Sequence, residues 1–184
     1  MGFFKTDTPV ELPNGLKHLF NPRWLAVTLA RYLEGTLCYD ELLIGSLTRR
    51  GVRIGVFVHH IWVNDHSSLL GGRRIWGLPK EMADFAWDGN MVRVTDEKGS
   101  IVTLTIEESK AWLPRIWVLA PSIGQLNGQW TFTMARLWAQ LGGVRIHLGE
   151  WSSRFACRPS KVPVFAFAAK SFDMTVLPPK LCSD

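Results

Sequence analysis

The chain has 184 residues, 47% of them hydrophobic, and a formal net charge of +5. That length and apolar content suit one domain, residues 1–184, with a core of its own. No apolar run is long enough to cross a bilayer, so no membrane partner is expected. The basic residues are dispersed (Arg49, Arg50, Arg53; Arg73, Arg74; Arg154, Arg158, Lys161) without a helix-turn-helix, zinc-finger or RNP pattern, which argues against a nucleic-acid partner. Met1 to Thr6 contain no extended apolar segment of a signal peptide, and Cys38, Cys157 and Cys182 have no paired spacing. Reduced thiols in a cytoplasmic protein are the expectation.

In chain order, strand signals dominate. Trp24 to Leu33 is rich in β-branched and aromatic residues, and Leu37 to Leu47 follows after Glu34-Gly35. Val52 to Val63 alternates, placing Val52, Ile54, Val56 and Val58 on one face. On a regular strand His59 and His60 point to opposite sides, the wrong arrangement for joint metal ligation, and no metal is expected. One of them, with His60 as the candidate, would face the interior and hydrogen-bond a ligand; a structural histidine with its hydrogen bonds satisfied is the plainer expectation. Asp65 to Arg74 predicts a helix capped by Asp65, with Leu69 and Leu70 turned inward and Gly71-Gly72 loosening its end. Met91 to Asp96 and Ser100 to Ile106 flank a hairpin turn at Asp96-Glu97-Lys98-Gly99. Further strands are expected at Arg115–Ala120, Gln129–Leu137, Val144–Glu150 and Val162–Val176, with Met134 to Leu141 compatible with either a helix or a strand. The fold class is mainly β, an antiparallel closed or cone-shaped barrel with one or two short helices.

The segment Gly71-Gly72-Arg73-Arg74-Ile75-Trp76-Gly77-Leu78-Pro79-Lys80-Glu81 places a lysine at the end of an apolar run punctuated by glycine and proline. Lysine titrates near ~10.4 in water, and burial lowers that value by up to roughly 3–5 units. A desolvated Lys80 is thus a candidate amine nucleophile. By composition alone it would be a solvated lysine, and Glu41 an exposed strand carboxylate.

The stretch Gly72-Arg73-x-Ile75-Trp76-Gly77-Leu78-Pro79-Lys80 resembles the lysine motif of the acetoacetate decarboxylase superfamily. Tyr39-Asp40-Glu41 resembles that family's Tyr-x-Glu strand, and Trp62-Val63-Asn64-Asp65 its aromatic-x-Asp-Asn segment. The resemblance is clearest from Cys38 to Asp88. It implies a β-barrel with an interior pocket, Lys80 as Schiff-base lysine, Glu41 as acid/base or orienting carboxylate, and Tyr39, Trp76 and Leu78 around them. It also implies a homo-oligomer, a small carbonyl or apolar substrate, and no cofactor.

Three departures qualify the substrate. Glu81 stands where decarboxylases of the family carry a second lysine. Turned inward it would be a second acid/base group; on an extended segment it would face away from Lys80. The family's N-terminal arginine has no counterpart before Arg23 in a shortened N-terminal region, and Ala26 occupies a second acidic position. The reading is a cofactor-independent lyase acting on a β-keto acid or related carbonyl compound through a Lys80 imine. The alternatives are an isomerase, cyclase or aldolase/dehydratase of a lipophilic secondary metabolite, or a non-catalytic carrier of an apolar ligand.

Overall fold

Short turns and alternating apolar residues produce a chain whose regular structure is mainly strand. The computed structural model describes residues 1–182, and for residues 109–111 the backbone alone. The elements are β1 (Gly2–Lys5), β2 (Lys17–His18), β3 (Trp24–Tyr32), β4 (Tyr39–Arg50), β5 (Arg53–Val63), α1 (His66–Trp76), β6 (Lys80–Met82), β7 (Asp84–Asp88), β8 (Met91–Asp96), β9 (Gly99–Leu126), β10 (Gln129–Trp151), β11 (Phe165–Val176) and β12 (Lys180–Leu181). Among the described residues α1 is the only helix.

The segments Ser100–Ile106 and Arg115–Ala120 are parts of β9, and Gln129–Leu137 and Val144–Glu150 are parts of β10, so Met134 to Leu141 is strand. Register shifts between Gln140 and Gly142 and between Gly142 and Val144 interrupt the β9–β10 pairing, where inserted residues bend a strand. Gly142 is required at this bend because a Cβ there would lie 2.6 Å from the Trp112 ring.

Strands β9, β10, β11, β1, β3, β4 and β5 pair in that order, and β5 pairs β9 again, closing a ring of 7 strands. The ring is mostly antiparallel, but β5 runs parallel to β9 and to β6. Outside the ring, β7, β8, the first half of β9 and the second half of β10 form a covering layer. The core lies between ring and layer: Leu25, Val27, Leu42, Ile44 and Trp62 meet Val92, Val94, Val102, Leu104 and Leu148. The even-numbered residues of β4 from Asp40 to Ile44 therefore face outward into this core. Tyr39, Glu41 and Leu43 face the inside of the ring.

A bulge in β5 corrects one expectation. Ile44 pairs with His60 but Gly45 pairs with Val58, so His59 is an extra residue. Alternation fails there. Phe57 and His60 come to the same side, opposite Ser46 and Ile44. His59 joins them, hydrogen-bonded to Ser46 Oγ at 2.9 Å and edge-on to Phe57. Both histidines thus lie on the outward face rather than on opposite sides.

Burial lowers the His59 imidazole to about 4, helped by the charges of His60 and His18, and burial also lowers His60. In the unfolded chain these groups bind protons near pH 6.5, so between that pH and about 4 the unfolded state is the more protonated. Stability accordingly falls as pH drops through this window, with His59 contributing on the order of 2 kcal/mol. Urea unfolding of wild type and His59→Gln at both ends of the window checks this. The fall should be shallower in the variant, and equal falls would refute the assignment to His59.

Candidate active site

The site is assembled from β4, α1 and β6. Tyr39 and Glu41 stand two residues apart on β4 and share its inner face. Asp40, between them, points outward: its Oδ2 accepts the Trp87 indole N–H at 3.0 Å and its Oδ1 lies 3.4 Å from Arg31 Nε. The Asp40 backbone N–H donates to Asn64 Oδ1 at 2.7 Å, tying the start of β4 to the end of β5. The next residue, Asp65, caps α1 by accepting from the Ser68 N–H at 2.6 Å. The helix then runs through Gly71 and Gly72 and stops at Gly77, whose φ of 65° is the left-handed region glycine adopts without strain.

Its buried residues are Ser68 and Gly72, one turn apart, whereas Leu70 is exposed. Glycine is needed at 72 because a Cβ there would lie 2.4 Å from Lys80 Cδ and 2.7 Å from Cε. The lysine stem lies in the groove this glycine leaves. Arg73 Nε donates to the Lys80 carbonyl at 2.6 Å, and β6 pairs in parallel with β5, Ile61 opposite Lys80. The far end of α1 rests on β9 and β10. Gln125 N–H donates to the Gly77 carbonyl at 3.2 Å, and Thr131 Oγ1 to the Trp76 carbonyl at 3.2 Å.

Lys80 is 6% exposed, so its ammonium needs partners inside the protein. Nζ donates to Glu41 Oε2 at 2.8 Å and to Ser68 Oγ at 2.8 Å. It also lies 5.3 Å from the centre of the Tyr39 ring. Tyr39 OH donates to the same Glu41 Oε2 at 3.5 Å, and Ser68 and Tyr32 also act on its phenol. Tyr32 and Tyr39 are cross-strand partners with ring centres 4.6 Å apart, and Phe172 of β11 meets Tyr32 edge-on at 5.7 Å. Burial first, and then the Glu41 charge, push both phenols above their ordinary range, so both keep their protons. The arrangement is a buried amine against a carboxylate, a hydroxyl and a phenol, with aromatic rings on one side. Such a group can add to a carbonyl and exchange protons with it.

The family model for acetoacetate decarboxylase matches residues 10–114. The chain belongs to the acetoacetate decarboxylase family. A stretch of 29 residues is 55% identical to the acetoacetate decarboxylase of Acidiphilium cryptum (strain JF-5), covering 16% of this chain and only 12% of that protein. The acetoacetate decarboxylase of Legionella pneumophila subsp. pneumophila str. Philadelphia 1 has a similar structure, with TM-score 0.66 and 18% identity over 99% of this chain and 84% of that one. The enduracididine biosynthesis enzyme MppR, solved with pyruvate, gives TM-score 0.58 and 14% identity over 99% of this chain and 88% of that one. At such identities the structural likeness shows the fold.

Within this acetoacetate decarboxylase-family chain, the structure brings Lys80, Glu41 and Tyr39 together. Trp76 and Leu78 belong to the connection that seats the lysine. The Trp76 indole donates to the Leu177 carbonyl at 3.2 Å, and the Leu78 N–H to the Gly72 carbonyl at 3.0 Å. His60 and Glu81 are placed elsewhere. Glu81 pairs with Trp62 on the outward face and is exposed, and its charge acts on His60. His60 stacks on Trp62 at 5.4 Å, against Phe155. Ala26 of β3 pairs with Gly45 of β4, and Arg23 donates to the Asp7 carbonyl at 2.9 Å on the surface. Ser68, Tyr32 and Phe172 were not legible as site residues. Ser68 carried one usable signal, its position three residues after a helix-capping aspartate and one turn before the glycine of the lysine motif.

The Gly72→Ala variant should fold, with a modest loss of melting temperature, but should displace the Lys80 stem. Covalent labelling of Lys80 by a carbonyl reagent is expected to slow by about tenfold or more, since small misplacements of a reacting group are costly. Labelling at the wild-type rate would show that the missing Cβ does not set the lysine's position.

Proposed function

We propose that this chain is a cofactor-independent lyase that decarboxylates a β-keto acid through an imine at Lys80. The observation that carries the reading is the buried Lys80 Nζ held 2.8 Å from Glu41 Oε2. A lysine becomes a nucleophile by passing a proton to a neighbouring base, and Glu41 is in contact to take it. The neutral amine adds to the ketone carbon, and the carbonyl π pair moves to oxygen. Proton transfers to that oxygen release it as water and leave a protonated imine. The iminium nitrogen then draws the electron pair of the bond to the carboxylate. Carbon dioxide leaves and an enamine remains. A proton taken from solvent through Glu41 returns to carbon, and water hydrolyses the imine, giving the ketone and the Lys80 ammonium. No organic cofactor enters this sequence.

A second reading keeps the imine and changes the bond. The structure of MppR, similar in fold, holds the condensation product of pyruvate and imidazole 4-carboxaldehyde. The aromatic cluster of Tyr32, Tyr39 and Phe172 favours a substrate with a flat or apolar substituent in either case.

Borohydride reduction in the presence of acetoacetate, or of pyruvate with an aromatic aldehyde, followed by peptide mass mapping, tests both. The expected result is a stable adduct on the peptide containing Lys80 and none in Lys80→Met. Release of carbon dioxide from acetoacetate separates decarboxylation from condensation. Turnover retained by Lys80→Met would remove the imine from the mechanism and leave acid/base isomerisation by Glu41.

A further inference from the structure

We propose that Ser68 is a further catalytic group of this site, the hydroxyl that takes the proton Lys80 Nζ must lose while it bonds to the substrate carbon. The inference rests on the imine reading and adds to it a residue that no motif of the lysine segment contains.

The geometry is a group of polar side chains gathered around the amine. Lys80 Nζ donates to Glu41 Oε2 and to Ser68 Oγ, each at 2.8 Å. Ser68 acts on the Tyr39 phenol, and Tyr39 OH donates to Glu41 Oε2 at 3.5 Å. The amine therefore meets the carboxylate directly, and Ser68 and Tyr39 supply a second path between them in this proposal. The direct contact serves the first step, in which the ammonium gives a proton to Glu41. Once the amine has attacked, the carboxyl is needed at the substrate oxygen, and the direct route is occupied.

The second route then has a definite use. Glu41 gives its proton to the new alkoxide. The nitrogen, now bonded to carbon and bearing a positive charge, passes a proton to Ser68 Oγ as the Ser68 proton moves to Tyr39 and the Tyr39 proton to Glu41. Serine and tyrosine end as they began, the nitrogen is neutral, and Glu41 is again protonated. It protonates the carbinolamine hydroxyl, the nitrogen lone pair forms the C=N bond, and water leaves. Tyr39 suits this role because its phenol stays protonated and has a proton to hand on.

The position of Ser68 is fixed independently of its hydroxyl. Its backbone N–H donates to Asp65 Oδ1 at 2.6 Å, and the residue is 5% exposed on the inner side of α1. Helix capping uses only that N–H, so alanine would serve the helix equally well.

The test uses 2,4-pentanedione, a β-diketone that forms a conjugated enaminone with an amine and cannot lose carbon dioxide. Enaminone formation, followed by its near-ultraviolet absorbance, should be slowed about 100-fold in Ser68→Ala, in the range a positioned proton-transfer group contributes. The final extent of adduct at saturating reagent should be unchanged, and Ser68→Thr should recover part of the rate. A Ser68→Ala protein that forms the adduct at the wild-type rate overturns the proposal while leaving the imine intact. A wild-type protein that forms no adduct at Lys80 overturns both. If Ser68→Ala does not fold, the rate in wild type measured across mixtures of H2O and D2O decides. A curved dependence is expected for several protons in flight, and a straight line for a single proton would refute the relay.

Discussion

The molecule is organised around one buried cation. An ammonium group taken out of water needs a counter-charge and hydrogen-bond acceptors, and removing one partner of such a pair typically costs about 3–5 kcal/mol. Lys80 receives its partners from two elements that share no local sequence, Glu41 on β4 and Ser68 on α1. Strand, helix and lysine segment must therefore be held in register with one another. The contacts that do this are specific: Asn64 to the Asp40 backbone, Asp65 to the Ser68 backbone, Arg73 to the Lys80 carbonyl, and Gln125 and Thr131 to the end of α1.

The same strands serve two environments. Outward, β3, β4 and β5 carry Leu25, Val27, Leu42, Ile44 and Trp62 into a closed apolar core with the covering layer. Inward, they carry Tyr32, Tyr39 and Glu41. Adjacent residues 40 and 41 are both acids, and the alternation of the strand separates their tasks. Asp40 anchors the covering layer through Trp87 and Arg31, and Glu41 meets the lysine. A packed outer core gives the inner residues a rigid mount, which a buried polar cluster requires if its hydrogen bonds are to keep their geometry.

Much of this was legible in the sequence because it depends on period-two alternation and on short blocks of fixed order. The pairing of Tyr39 with Glu41 on one face follows from spacing alone, and the cap at Asp65 follows from residue type. What escaped were features decided by contacts distant in sequence. The insertion of His59 into β5 becomes visible only when β5 is aligned with β4, and it overrides the alternation that put the two histidines on opposite sides. Gly71 and Gly72 read locally as a helix end, yet Gly72 is glycine because the Lys80 stem crosses it, and the helix ends at Gly77 instead. Leu70 reads as a core residue by hydropathy, but the inner side of α1 is given to Ser68 and Gly72. A helix whose two buried residues face a lysine stem inverts the usual pattern.

Glu81 shows why neighbours in sequence are a poor guide to charge at this site. On the extended β6, Lys80 stands opposite Ile61 inside the ring and Glu81 opposite Trp62 outside it. The backbone of the sheet lies between the two side chains. Glu81 shares its side with His60 and Arg154, where water and other charges screen it. The carboxylate that acts on Lys80 comes from 39 residues earlier, at 2.8 Å. The glutamate at position 81 therefore places its charge on the outer surface, and the side chains in contact with the Lys80 amine are Glu41, Ser68 and Tyr39.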